Sequence, residues 1–200
     1  SLDRRQRQMC IRDSVDIVDS TFNQDADKVM TYRLEAIKAY WPSKEVHVHI
    51  MSKTPSIYVN EVLPYSDVVF IHVEIDEDIH DVCRMIKEKK RKLGVVFSMS
   101  SSLNDIEPFL KLSDHVLLLA INEPGFSGQK FELKALEKIK LLNALSYRNQ
   151  FSLCVDGGVN EDIVKILDAE NIVSGSSVLN SFNPKKQIMR LQTASRYGSI

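Results

Sequence analysis

From Val15 onward, short apolar runs and amphipathic stretches take turns along the chain, and this alternation limits the fold more than any other feature. The strand-like runs are Val15–Val18, Val46–Met51, Val68–Val73, Leu93–Phe97, Val116–Ile121, Phe151–Val155 and Ile172–Ser174. A stretch with helical character follows each one: Asp27–Tyr40, Pro55–Leu63, Asp78–Lys92, Leu103–Leu112, Phe131–Ser146, Glu161–Ala169 and Pro184–Ala194. In the first of these, Val29, Tyr32, Leu34, Ile37 and Tyr40 recur near a 3.6-residue period. Each helix carries the chain back to the end of the sheet from which the next strand must start. The strands therefore run parallel, with helices outside. Two closures satisfy this pattern, an open doubly wound sheet and an eightfold barrel. No Gly-rich dinucleotide fingerprint follows the first strand. Seven units after an irregular start fit the barrel better. The expected fold class is α/β, a (β/α)8 TIM barrel lacking its first β/α unit.

Composition narrows the function classes. Lys and Arg total 26 against 27 Asp and Glu, a net charge of −1, which argues against a nucleic-acid binder with a broad basic face. No apolar run reaches the ~18 residues of a membrane helix, so no membrane partner is expected. Cys10, Cys83 and Cys154 show neither metal-ligand nor disulfide-framework spacing, which fits reduced thiols and a cytoplasmic location.

Residues 1–14 stand apart. They show no apolar periodicity, and Arg4–Ser14 match the in-frame translation of a transposase-type sequencing adaptor. A non-native segment is set aside in reasoning about fold. Residues 15–200 are then expected to form one barrel domain, and 1–14 a non-native or disordered lead. Without its first unit such a barrel would have two unpaired strand edges, a route to association or a homo-oligomer. The 200-residue chain by itself is expected to be inactive.

In a β/α barrel the chemistry lies at the C-terminal ends of the strands. Asp16 lies in the first strand, His47, His49 and Met51 in the second, and Asp156 at the end of the sixth. One imidazole and two carboxylates suit one divalent ion, Zn²⁺, Fe²⁺ or Mn²⁺. The competing reading is a helix-capping Asp and a core His. His47 and His49 share one face, so either could be the ligand. His72 and Glu74 also share a face, and a structural hydrogen-bonded pair is the simpler account of them. Met51 alone reads as core packing. Gly157, Gly158, Gly175 and Ser176 close the last two strands, where backbone N–H groups and a short helix start at Ser176 suit a phosphate. Pro124-Gly125-Phe126-Ser127-Gly128 is long and Gly-rich enough to fold over a ligand.

These segments together resemble the ribulose-phosphate 3-epimerase family. The resemblance runs from about Val15 to Ala194, and Glu123–Phe131 and Val155–Asn160 are its most specific parts. It implies a (β/α)8 barrel and reversible inversion at carbon 3 of a ketopentose 5-phosphate, D-ribulose to D-xylulose, through an enediolate. It implies that Asp16 and Asp156 are both metal ligands and the acid/base pair, with His49 a third ligand. Gly125, Phe126, Ser127, Gly128, Gly157, Gly158, Gly175 and Ser176 would bind the sugar phosphate, and Met51 would shield the intermediate.

The chain departs from the family pattern at Val18 and Ala120, where Met is expected, and at Ser20, where Gly is expected. A fourth metal ligand, a His, falls on Ser14, but Ser14 belongs to the adaptor-like segment and says nothing of the native residue, so only Val18, Ser20 and Ala120 count as departures. These departures leave two alternatives open: a non-catalytic sugar-phosphate-binding paralogue, and an epimerase of a ketohexose 6-phosphate. Related barrel decarboxylases carry Asp-x-Lys-x-x-Asp; Asp16-Ile17-Val18-Asp19 lacks the Lys and argues against that chemistry.

Overall fold

The structure is a computed structural model that describes residues 13–26 and 31–196. Seven strands form one sheet in chain order: β1 (Asp13–Val18), β2 (Val46–Met51), β3 (Val68–His72), β4 (Lys92–Phe97), β5 (His115–Leu119), β6 (Ser152–Asp156) and β7 (Asn171–Ile172). Every neighbouring pair is parallel. Helices α1 (Tyr32–Tyr40), α2 (Ser56–Val62), α3 (Ile79–Glu88), α4 (Leu103–Leu110), α5 (Ala135–Asn143) and α6 (Glu161–Ile166) make the crossovers, and α7 (Ser176–Leu179) and α8 (Pro184–Ala194) follow β7.

The sheet is curled. Asp16 on β1 and Asp156 on β6 approach each other although four strands separate theirs in the sheet. Alternate residues along each strand divide into two apolar layers. Val68, Phe70, Val96, Leu117, Leu119, Ile121 and Cys154 pack inside the curl. Val95, Phe97, Val116, Leu118, Leu153 and Val155 face outward beneath α4, α5, α6 and α8. Among the described residues no ladder joins β7 to β1.

Several boundaries differ from those the sequence predicts. β1 starts at Asp13, so backbone pairing of Asp13 with Val46 and Ser14 with His47 carries the strand into the segment set aside above. Residues 1–12, with the rest of that segment, and residues 27–30, with Val29, lie outside the described residues. Tyr40 is 77% exposed, and among the described side chains of the predicted stripe on α1 only Leu34 is fully buried. The third helix stops at Glu88 rather than Lys92, because Lys90 adopts a left-handed φ of 57° and turns the chain into β4. The fifth helix starts at Ala135, not Phe131: Glu132 donates its N–H to the Ala120 carbonyl at 2.9 Å, which holds the preceding residues against the sheet.

One device repeats at the N-terminal ends of the strands. Asp67, Asp114 and Glu170 each stand just before β3, β5 and β7. Their carboxylates accept the N–H of Val46 (2.9 Å), Leu93 (2.8 Å) and Leu153 (2.8 Å) on the preceding strand. The same oxygens hold Lys38 (2.8 Å), Lys87 (2.6 Å) and Arg148 (2.6 Å) from the segment that leads into that preceding strand. Each clasp thus locks one strand pair through a single carboxylate. Burial alone would raise the Asp67 pKa, but the Lys38 and Val46 hydrogen bonds outweigh it and hold it below its usual value. Asp67→Asn should cost about 1 kcal/mol at neutral pH, since the clasp is partly solvated. A depressed folded pKa gives stability that is complete above the unfolded pKa and lost as pH falls through the folded one. Denaturation curves of wild type and Asp67→Asn should therefore converge in acid; a gap that persists there would mean that the charge plays no part.

Candidate functional site

Three strands bring the central cluster together, Asp16 and His49 from the C-terminal halves of β1 and β2 and Asp156 from the end of β6. Asp16 is partnered in register with His49 on β2, and Asp156 is the last residue of β6. One ligand atom from each of Asp16, His49 and Asp156 lies within 4.8 Å of the others. His49 is 1% exposed, whereas the Asp16 side chain is 48% exposed. Burial, and then the Asp16 charge, push Asp156 up to about 6. Two carboxylates thus share one small space around an imidazole, which cations stabilise and which is unfavourable without one.

The His49 ring is held on its far side. Its Nε2 lies 2.9 Å from Nε2 of His72, and His72 Nδ1 lies 3.1 Å from Glu74 Oε2. The ring planes differ by 18°, and an N···N distance this short excludes face-to-face stacking, so the rings meet edge to edge. Phe22 packs on His72 with ring centroids 4.7 Å apart. Burial pulls His72 down to about 4, so it is neutral near pH 7. Burial alone would raise Glu74, but hydrogen bonds from His72, Ser101 and Ser98 prevail and hold it down, to about 2. The remaining ring nitrogen, His49 Nδ1, is buried and has no hydrogen-bond partner. It stands 3.4 Å from Asp16 Oδ1. A buried nitrogen left unsatisfied against a carboxylate is costly, and a cation between the two removes the cost. The donor set therefore fits a divalent ion. Spacing left His47 and His49 equivalent; the structure brings His49 into the cluster, while His47 sits nearer the start of β2 beside Phe70 and His115.

Two cavities flank the edge-to-edge contact of His49 and His72. The larger, about 530 Å³, is lined by Asp16, His49, Ser174 and Gly175 and is faced by Ile188 and Leu191 of α8. The smaller, about 220 Å³, is lined by His72, Glu74, Lys53, Ser98 and Asn122. Gly157 and Gly158 follow Asp156 with φ of 100° and 65°, a conformation favoured by glycine. Gly175 has an ordinary negative φ of −89°, so its backbone does not require glycine; a Cβ there would meet nothing within 4 Å, leaving open space above it. Ser176 starts α7 and is exposed. Met51 is buried at the end of β2, opposite Val18 in the ladder.

The Gly125–Gly128 loop sits against β1. A Cβ at Gly125 would lie 3.2 Å from Val18 Cγ1, and Asn23 donates to the Gly125 carbonyl at 3.1 Å. Gln129 closes the loop by donating to the Glu123 and Phe126 carbonyls and accepting from Glu123 N–H. Phe126 is 41% exposed, and Phe126, Ser127 and Gly128 line neither cavity. Ala120, where the family pattern has Met, is fully buried in the outer layer with Val116 and Leu118, so strand alternation turns it away from the inner face of the curl. The sequence reading also passed over the contact of His72 with His49. The period-two placement of His72 and Glu74 was its only signal, and which strand they would face needs the register of β2 on β3.

Comparisons with known proteins agree in direction. The pattern of the Ribulose-phosphate 3 epimerase family matches residues 11–179. The chain is 31% identical over 157 residues to the ribulose-phosphate 3-epimerase of Aquifex aeolicus (strain VF5), covering 76% of this chain and 70% of that protein. It is 32% identical over 152 residues to the protein of that name from Bacillus subtilis (strain 168), covering 72% and 70%. In fold it is similar to 3-hexulose-6-phosphate synthase from Salmonella typhimurium, with a TM-score of 0.68 at 18% identity over 91% of this chain and 85% of that one. At that identity the likeness concerns the fold alone, a TIM-barrel-like curled sheet.

Proposed function

The chain belongs to the ribulose-phosphate 3-epimerase family, and from that premise we propose that its site inverts carbon 3 of a ketose phosphate, D-ribulose 5-phosphate to D-xylulose 5-phosphate and back. The observation that carries the proposal is the convergence of Asp16, His49 and Asp156 at one point of the curled sheet. Inversion requires removal of the carbon 3 proton from one face and its return to the other. The two carboxylates come from strands β1 and β6, on different sides of the curl, as that demand requires. Asp156 and the more exposed Asp16 would each serve one face of the planar intermediate, one taking the carbon 3 proton and the other returning it.

Asp16, His49 and Asp156 would hold one divalent ion, Zn²⁺, Fe²⁺ or Mn²⁺, which when bound supplies Lewis-acid stabilisation of the enediolate oxygens. Met51 excludes water beside the reacting carbon. Gly157, Gly158, Gly175 and Ser176 would take the phosphate end, and the open space over Gly175 supports that role; Gly125, Phe126, Ser127 and Gly128, which line neither cavity, would bind it by folding over the ligand. The ligand is a small sugar phosphate in an enzyme of carbohydrate metabolism.

The test is carbon 3 proton exchange. In D₂O with Zn²⁺, Fe²⁺ or Mn²⁺, D-ribulose 5-phosphate should lose its carbon 3 proton signal and D-xylulose 5-phosphate should accumulate. The assay uses the chain as given and a form extended with the upstream codons of its native gene. Binding without exchange in both forms would favour a non-catalytic sugar-phosphate-binding paralogue. Exchange only with a ketohexose 6-phosphate would move the reading to that substrate.

A further inference from the structure

The hydrogen bonds behind His49 have a direction, and it can be read from one end. Glu74 Oε1 accepts from Ser98 N–H at 2.9 Å, from Ser98 Oγ at 2.8 Å and from Ser101 Oγ. Three donors fix the carboxylate in place. Glu74 Oε2 can only accept, so His72 Nδ1 must carry a hydrogen. His72 is fully buried, and its other nitrogen is then a bare acceptor. That nitrogen faces His49 Nε2 at 2.9 Å, which must therefore be the N–H. The hydrogen of a neutral His49 is thereby spent on Nε2, and its lone pair is left on Nδ1, beside Asp16 and Asp156.

We propose that Glu74 and His72 are positioning residues that set the tautomer of His49, so that Nδ1 always presents a lone pair to the ion. This rests on the metal reading of the Asp16–His49–Asp156 cluster and adds two residues to it. Outer partners that orient a ligating histidine are worth about 10- to 100-fold in metal affinity.

Reversing one group should reverse the relay. In Glu74→Gln the donors at Ser98 and Ser101 keep an oxygen at the Oε1 position and turn the amide NH₂ toward His72. His72 Nδ1 must then accept, its Nε2 gains the hydrogen, and His49 is driven to the Nδ1–H form. His72→Gln is the larger loss of ring volume but keeps the polarity, with its amide oxygen toward His49 and its NH₂ toward Glu74.

The experiment uses the chain on a solubilising fusion partner, with histidine rings labelled with nitrogen-15. Long-range proton–nitrogen spectra of the metal-free protein report each tautomer, and chelator competition reports Zn²⁺ affinity. Expected in wild type are Nε2–H on His49 and Nδ1–H on His72. Glu74→Gln should invert both and weaken Zn²⁺ about 10- to 100-fold, while His72→Gln stays within about threefold of wild type. A purely structural role predicts the reverse order, since His72→Gln disturbs packing more. His49 in the Nδ1–H form in wild type, or equal losses in the two variants, would overturn the proposal. Wild type that binds no Zn²⁺ would overturn the metal reading, while the tautomer spectra would still decide the direction of the relay.

Discussion

Asp156→Asn is expected to lower epimerisation by at least about a thousandfold while leaving the fold intact, because one face of the planar intermediate loses its acid/base group. The variant is isosteric, and Asp156 is half-buried at a strand end rather than in an apolar layer. Asp16→Asn should cost as much for the mirror reason. Exchange in D₂O separates the two. Each variant retains one competent face, so each should exchange the carbon 3 proton of only one epimer, Asp156→Asn that of one and Asp16→Asn that of the other. Circular dichroism would show that both are folded. A variant that keeps a tenth of wild-type epimerisation, or two variants that exchange the same epimer, would rule out the two-base assignment.

The second large effect is on stability. Gly158→Ala should cost about 3–4 kcal/mol, enough to unfold a marginal domain. Its φ is +65°, and a Cβ would fall 2.1 Å from the Phe131 nitrogen and 2.6 Å from the Lys130 carbonyl carbon. Both are backbone atoms, and Glu132 is tied to Ala120 next to them, so the neighbour cannot yield cheaply. Gly128→Ala supplies the control. Its φ is +78°, yet nothing lies within 4 Å of the added carbon, so only conformational strain of about 1 kcal/mol applies. Urea denaturation would measure both. Equal losses would mean that the close approach of residues 130–131 to Gly158 is not maintained in solution.

The parallel architecture was legible from Val15 onward because buried parallel strands are written as β-branched runs and amphipathic helices between them serve as crossovers; the pattern left an open sheet and a barrel as the two closures. Asp16, His49 and Asp156 were legible as candidates through their places in the C-terminal halves of their strands. Their convergence was not, because nothing in local spacing says how far a sheet curls. The choice of His49 over His47 depended on position along β2. The outward turn of Ala120 followed from where β5 ends. The His72–Glu74 pair was legible from its shared face, and the structure bears it out, whereas Gln129 and Asn23 were hidden for a different reason. Each acts by hydrogen-bonding backbone, and side chains of that type are frequent in loops that do nothing comparable.

The three carboxylate clasps bear on how the molecule comes into being. Val46 and Asp67 are 21 residues apart, Leu93 and Asp114 21, and Leu153 and Glu170 17. Closing such short loops costs little chain entropy, so the pairs β2–β3, β4–β5 and β6–β7 can form as separate pieces early. Asp16 and Asp156 meet only when the pieces have joined and curled, across most of the chain's length. The site is expected to be the last part assembled and the first undone, since it depends on contacts between the most distant parts of the chain. Loss of activity should therefore announce damage to this molecule before any loss of its helices does.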